Sequence, residues 1–129
     1  MMLIDVKKGH IPYHVAIAVQ GHKLICWSTN DVYDHAEVAT IKKLEKLNIK
    51  HKIKWEKITI IVVRTIVDEN NELQYKMSKP CKNCCQYLKN TNIKNISWSN
   101  DEGYFDTCKV CDFETEQISR RFRPWNINL

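Results

Sequence analysis

The sequence predicts an α/β fold with a mixed, five-stranded sheet sandwiched by helices. The prediction depends on the order of its patterns. Two short apolar runs precede a helical pattern, and a β-branched run, a second helical pattern and two further strand-like runs follow. Strands that alternate with helices are typical of a sheet with helices packed on its faces. The expected order is therefore β-β-α-β-α-β-β.

The first two runs predict a β-hairpin. They cover residues 14–19 and 24–29, and the turn between them contains Gly21. Short apolar runs around a Gly-containing turn are typical of paired antiparallel strands. Because helical crossovers connect parallel strands, the complete sheet is expected to be mixed.

A helix is predicted over residues 35–47. Asp34 suits its N-cap, and Glu37 lies three residues further on, as in a capping box. Apolar side chains recur close to the helical period at Val38, Ile41, Leu44 and Leu47.

The second half of the chain predicts a buried strand over residues 58–67, a short extended piece over 73–77 and a helix over 81–90. Pro80 suits the first turn of that helix, with Tyr87 and Leu88 facing inward. A strand over residues 93–99 and another that starts at 104–105 complete the sheet. The connection between them is too short for a crossover helix, so they are expected to form an antiparallel hairpin.

The composition indicates a single globular domain spanning residues 1–129. Apolar residues make up 43% and charged residues 27% of the sequence, which is ordinary for such a domain. No apolar run approaches the roughly 18 residues of a membrane span, and residues 1–10 do not resemble a secretory signal. We therefore expect no membrane partner and a cytoplasmic location, with the nucleus also compatible. The net charge of +5 permits an anionic substrate or nucleic acid without requiring either.

Two short motifs predict a metal site. The first is His35-Ala36-Glu37, and the second is Pro80-Cys81-Lys82-Asn83-Cys84. An imidazole and two thiolates provide three of the four tetrahedral positions of zinc, and an open fourth position is typical of catalytic sites. A water bound there is activated near neutral pH, and a carboxylate such as Glu37 can move its protons.

The motifs H-x-E and P-C-x-x-C resemble the signature of the cytidine deaminase-like superfamily, whose members deaminate free bases, nucleosides, nucleotides or polynucleotides. The similarity covers residues 14–105. It implies His35, Cys81 and Cys84 as ligands of one catalytic zinc ion, and Glu37 as proton shuttle during attack by zinc hydroxide and release of ammonia. On a regular helix, residues two apart face different ways. The joint approach of His35 and Glu37 to the metal is therefore also taken from the resemblance.

The resemblance also implies substrate contacts and an assembly. Asn30 matches an asparagine that many members use to bind substrate, and the backbone around Ser78 and Pro80 would line the pocket from which the amine leaves. Members commonly share pockets between subunits, so a homo-oligomer is expected.

The choice of substrate stays open at this point. The predicted final hairpin resembles the branch that acts on free nucleosides, whereas the wording His-Ala-Glu resembles the deoxycytidylate, transfer-RNA and polynucleotide branches. We favour a cytosine-type nucleoside or nucleotide, because the chain is compact and has no evident recognition domain. The alternatives are an enzyme that edits cytosine or adenine in RNA or single-stranded DNA, and a non-catalytic, zinc-stabilised binding subunit.

The remaining cysteines and basic stretches have simpler interpretations. Cys85 also shares a helical face with Cys81, but is expected to be a buried filler. Cys108 and Cys111 form a second C-x-x-C and are expected to be buried or half-buried thiols and not a second zinc site. The histidines outside the motif, among them His14, are expected to be surface or strand residues. The lysines of residues 42–57 are interpreted as a solvated face in preference to a phosphate contact. The tail with Arg120, Arg121, Arg123 and Trp125 is compatible with a single-strand contact, a cover for the active site of a neighbouring subunit, or a cap on the core.

Overall fold

The computed structural model of the chain describes residues 13–30 and 34–115. Six strands and two helices occur in these residues. In chain order they are β1 (Tyr13–Gln20), β2 (Lys23–Thr29), α1 (Ala36–Lys50), β3 (Ile58–Val67), β4 (Leu73–Lys76), α2 (Lys82–Lys89), β5 (Asn95–Ser99) and β6 (Phe105–Lys109). Short 3₁₀ turns lie at Trp55–Lys57 and Val110–Asp112.

The strands form one open, mixed sheet in the order β2-β1-β3-β5-β6. Only β3 and β5 pair in parallel, and α2 lies in the connection between them. The prediction of a mixed α/β sheet is confirmed, but the sheet has six strands, not five. The additional strand is β4, which pairs antiparallel with the second half of β3. Because β5 pairs only with the first half of β3, the second half is open on that side. The extended piece expected over residues 73–77 pairs there and becomes a strand.

Both predicted hairpins are present. β1 and β2 pair antiparallel around a turn in which Gly21 has a positive φ of 61°. β5 and β6 also pair antiparallel, from Ser99 opposite Phe105 to Asn95 opposite Lys109. Their turn is closed by a hydrogen bond in which the Asn100 N–H donates to the Tyr104 carbonyl over 2.9 Å.

The core lies between the sheet and the two helices. One face of β3 contributes Ile58, Ile60 and Val62, and these pack in a single cluster with Leu44 of α1 and Leu88 of α2. Within the described residues, α1 and α2 therefore lie on the same face of the sheet. The expectation of helices on both faces is not met there. The opposite face also carries buried side chains, including Val15 and Val63.

The start of α1 differs from the prediction. The helix begins at Ala36, and its N-cap is His35, whose extended backbone (φ −67°, ψ 159°) makes no side-chain cap. Asp34 is not the cap, because its carboxylate instead accepts a 2.8 Å hydrogen bond from Lys42. The capping acceptor comes from further back, since Oδ1 of Asn30 accepts the N–H of Ala36 over 2.7 Å. Similarly, Pro80 lies just before α2, because Cys81 is the N-cap.

None of the helices in residues 13–30 and 34–115 combines the length and apolar character needed to cross a membrane. The arginine-rich tail lies within residues 116–129, outside the described part of the chain. The single-domain prediction for residues 1–129 stays a prediction.

Candidate metal centre

The two predicted motifs meet where the N-termini of α1 and α2 approach one another. His35 is the N-cap of α1, Cys81 is the N-cap of α2, and Cys84 lies in the first turn of α2. Direct contacts between the two helices hold these ends together. Ser78 fixes the segment before α2, because its N–H donates to the carbonyl of Ser99 at the end of β5 over 2.9 Å.

The three predicted ligand side chains form one compact group. Nδ1 of His35 lies 3.2 Å from Sγ of Cys84 and 3.6 Å from Sγ of Cys81. The two sulfur atoms are 3.6 Å apart, and the three donor atoms lie within 4.8 Å of one another. Both cysteines are buried, whereas His35 is half-buried. The group can hold a metal ion.

The electrostatics of the pair of cysteines favour a thiolate. The thiol groups of Cys81 and Cys84 share a hydrogen bond, and this bond, opposed by burial, lowers the pKa of Cys81 to about 3. The same bond raises the pKa of Cys84, and burial and the nearby Glu37 add to that effect. One of the two sulfurs is therefore ionised at neutral pH, and the thiolate is the form that binds metals.

Glu37 lies beside this group in the first turn of α1. Its side chain is only 1% exposed, and its Oε1 atom has no hydrogen-bond partner in the described part of the structure. Burial raises the pKa of Glu37 to about 6. A buried carboxyl group with one unpartnered oxygen, whose pKa is close to neutral, can both accept and release a proton.

The geometry of the N-cap explains how His35 and Glu37 share one site. Two helical residues at this spacing would diverge. His35, however, has extended backbone angles and precedes the first helical residue. The direction of its imidazole is therefore not set by the helical repeat. The His35 carbonyl still accepts the first helical hydrogen bond, from the N–H of Ala39 at 2.9 Å.

The residues expected to contact substrate have structural roles in addition. Asn30 is exposed and uses Oδ1 to cap α1. The hydroxyl of Ser78 is buried; it contacts the Val62 carbonyl and the Ser99 hydroxyl at 2.8 Å each, and accepts the Ser99 N–H at 2.9 Å. Pro80 is buried next to Cys81. These contacts occupy both the hydroxyl and the main-chain N–H of Ser78.

The sequence analysis did not identify His14 as part of the site. Its Nε2 atom lies 3.9 Å from Oε1 of Glu37, and burial together with the charge of Arg64 lowers the pKa of His14 to about 4. His14 pairs with Arg64 across β1 and β3. No motif spacing connects His14 to Glu37, so only the strand register could have indicated the contact.

One cavity adjoins the cluster, and a groove continues from it. The cavity, of about 230 Å³, is lined by Asp34, His35, Val38, Lys42, Asn83, Cys84 and Tyr87. A groove of about 480 Å³ shares Asp34 and Lys42 with it and continues past Trp27, Ser28, Thr29, Ala39, Lys43 and Lys46. The ring of Trp27 is 44% exposed in this groove, with the Lys43 ammonium 5.7 Å from its centre.

The other cysteines lie outside the cluster. Cys85 is 6% exposed within the core, and its thiol donates to the Phe113 carbonyl over 3.6 Å. Its predicted role as a buried filler therefore fits its position. Cys108 is half-buried, as expected, and donates to the carbonyl of Lys109. Cys111 is exposed, so the expectation of a buried or half-buried thiol is wrong there.

No family model, curated protein or solved structure matches this chain.

Proposed function

We propose that this chain is a zinc-dependent hydrolytic deaminase of a cytosine-type nucleoside or nucleotide, and a member of the cytidine deaminase-like superfamily. The supporting observation is the position of Glu37. Its buried and unpartnered carboxyl oxygen lies beside the His/Cys/Cys group, in the helix whose N-cap supplies the histidine. A purely structural metal site has no need of a carboxyl group at this position.

The donor set of the cluster suits zinc. Zinc prefers nitrogen and sulfur ligands in tetrahedral geometry, and three protein ligands leave one position for water or substrate. His35, Cys81 and Cys84 would hold the ion. Bound zinc would supply a water-derived nucleophile at neutral pH.

The chain's own residues would then manage protons and orientation. In hydrolytic deamination, water adds to the ring carbon that carries the amino group, the carbon–nitrogen bond breaks, and ammonia leaves as a carbonyl forms. Glu37 would move the two protons of the water, one to the ring nitrogen and one to the departing amine. Asn30 would orient the substrate through its side-chain amide nitrogen, while its oxygen caps α1.

An ammonia-release screen tests the proposal. The substrates are cytosine, cytidine, deoxycytidine, their monophosphates, adenosine and a single-stranded oligonucleotide, each tested with zinc-loaded protein and with Glu37→Gln. We expect turnover of a cytosine nucleoside or nucleotide by the native chain and none by Glu37→Gln. Absence of zinc from well-folded protein would contradict the proposal. So would full activity of Glu37→Gln, and that second result would favour the non-catalytic binding subunit.

The groove beside the cluster favours a second candidate, deamination of cytosine or adenine within RNA or single-stranded DNA. An exposed aromatic ring next to several lysines is typical of single-strand binding surfaces. This candidate predicts oligonucleotide turnover that weakens steeply with salt, because phosphate contacts release counterions. It also predicts loss of that turnover in Trp27→Ala. Turnover of free cytidine or deoxycytidylate that does not respond to salt would exclude it.

A further inference from the structure

Two buried polar atoms face one another beside the metal ligands. Nε2 of His14 and Oε1 of Glu37 are 3.9 Å apart, and neither atom has a hydrogen-bond partner in the described part of the chain. The separation exceeds the approximately 2.7–3.2 Å of a hydrogen bond, so the two atoms do not satisfy each other. Buried polar atoms nearly always have partners. A polar edge of a ligand would satisfy both atoms.

The strand register directs His14 toward this place. In β1, Ala16 and Ala18 belong to the core on the helix side of the sheet, and alternate residues of a strand share a face. His14 is therefore on the helix side too, one step beyond Ala16 toward the start of the strand. That end of β1 lies near the first turn of α1, where Glu37 is situated.

The environment of His14 selects its hydrogen-bonding form. Burial and the positive charge of Arg64 keep its imidazole neutral, so one ring nitrogen carries a proton and the other a lone pair. A carboxylate oxygen can only accept a hydrogen bond. The tautomer with the proton on Nε2 is thus favoured opposite Glu37, and it places an N–H donor beside the proton shuttle.

We propose that His14 is the residue that selects cytosine, because its Nε2–H donates to the 2-carbonyl oxygen of the base while Glu37 serves the neighbouring ring nitrogen. This inference depends on the proposed function. In cytosine, the ring nitrogen next to the amino-bearing carbon adjoins a carbonyl group. In adenine, the corresponding neighbour is a C–H group, which would leave the N–H of His14 unpaired. The Ala36 N–H, another donor near Glu37, is already taken by Asn30.

A cycle of variants and substrates tests the contact. We would measure kcat/KM for cytidine, 2-thiocytidine and adenosine with zinc-loaded native protein, His14→Leu and His14→Gln. Sulfur accepts hydrogen bonds weakly, so 2-thiocytidine removes the proposed contact from the substrate side. His14→Leu should lower kcat/KM for cytidine about 10- to 100-fold and affect 2-thiocytidine much less. His14→Gln, which keeps an N–H donor, should retain part of the preference for cytidine over 2-thiocytidine.

Other outcomes contradict the inference in separate ways. If His14→Leu slows cytidine and 2-thiocytidine by the same factor, His14 positions Glu37 and does not contact the carbonyl oxygen. If the native protein deaminates adenosine and not cytidine, hydrolytic deamination is supported, but the proposed role of His14 in selecting cytosine is refuted. If no substrate releases ammonia, the proposed function fails and the inference fails with it.

A binding measurement keeps the test decisive if His14→Leu does not fold. The ring-nitrogen NMR resonances of His14 should shift when native, zinc-loaded protein binds uridine, which keeps the 2-carbonyl group. They should shift less with 2-thiouridine. Equal shifts with both ligands would overturn the proposed contact.

Discussion

Replacing Ser78 by alanine removes a hydroxyl group that contacts two strands of the sheet directly and a third through Ser99. Ser78 Oγ contacts the carbonyl of Val62 in β3 at 2.8 Å and accepts the N–H of Ser99 in β5 at 2.9 Å. It also lies 2.8 Å from Oγ of Ser99, which donates to the carbonyl of Lys76 in β4 over 2.7 Å. Ser99 is fully buried, so no water can replace the missing acceptor. Ser78→Ala should therefore act chiefly on stability.

The size of the effect follows from the groups left without partners. A buried N–H that is left without an acceptor, here that of Ser99, costs about 1–3 kcal/mol. Loss of the hydrogen bond donated by Ser78 adds about 1 kcal/mol. We expect the free energy of unfolding to fall by about 2–4 kcal/mol. For a domain of this size, each kcal/mol lowers Tm by about 4 °C. The matched control is Ser97→Ala, whose hydroxyl bonds the Asp106 carbonyl and Thr107. It should cost about 1 kcal/mol, because no main-chain N–H depends on Ser97.

Urea unfolding followed by circular dichroism measures both changes, and metal analysis shows whether the cluster survives. Under conditions in which Ser78→Ala is folded, it should bind zinc and keep the native KM for the substrate found in the screen. The reasoning would be refuted by a variant of native stability whose KM rises tenfold or more. That result would mean that the hydroxyl contacts substrate, as the family resemblance allows.

Three further predictions concern the cluster. Cys84→Ala should lose zinc and lower Tm, because metal binding is coupled to folding. The control, Cys111→Ser at the exposed thiol, should change neither zinc content nor Tm. Equal zinc content in the two variants would contradict the assigned ligand set. Glu37→Gln should keep zinc with native stoichiometry and lower kcat by at least about 100-fold, measured by ammonia release; loss of zinc would instead make Glu37 a ligand. Asn30→Ala should reduce the free energy of unfolding by about 0.5–2 kcal/mol, because the cap of α1 is lost. Asn30→Asp keeps the acceptor but not the amide donor, so it should retain stability and lose kcat/KM; native kcat/KM would remove Asn30 from the substrate contacts.

The sequence predicted best where a pattern is local and repeated. The β-branched run over residues 58–67 forms β3 with those same bounds, since alternate side chains of a central strand are buried whatever pairs beside it. The grouping of His35, Cys81 and Cys84 was also predictable, because zinc sites require particular residue types and spacings within each motif. Their distances follow from the packing of α1 against α2, which the motifs imply only through the family resemblance.

The sequence predicted least where a contact joins residues distant in the chain. Asp34 fits the capping rule by type and spacing, yet Lys42 competes successfully for its carboxylate and Asn30 supplies the cap instead. The prediction did not count β4 as part of the sheet. A short extended segment becomes a strand only if a neighbouring strand has unpaired backbone groups, as the second half of β3 has beside β5. His14 is the most consequential example. Its proximity to Glu37 depends on the β1–β3 register and on how α1 packs against the sheet. Neither can be read from the residues next to His14 in the sequence.

Two helix N-termini converge on the candidate cation site. This arrangement is electrostatically favourable only when the side chains at the two helix ends are included. Each N-terminus carries roughly half a positive charge, which opposes a cation and favours anionic groups. The groups in the two caps and first turns include the sulfurs of Cys81 and Cys84 and the carboxyl group of Glu37. The helix ends would therefore stabilise the anions, and the anions would in turn bind a cation. On this view, replacing either sulfur leaves a positive helix end facing the metal, so Cys81→Ser, which keeps a weak oxygen donor, should also lose zinc. Zinc retention by Cys81→Ser would show that the sulfur anion is not what holds the ion there.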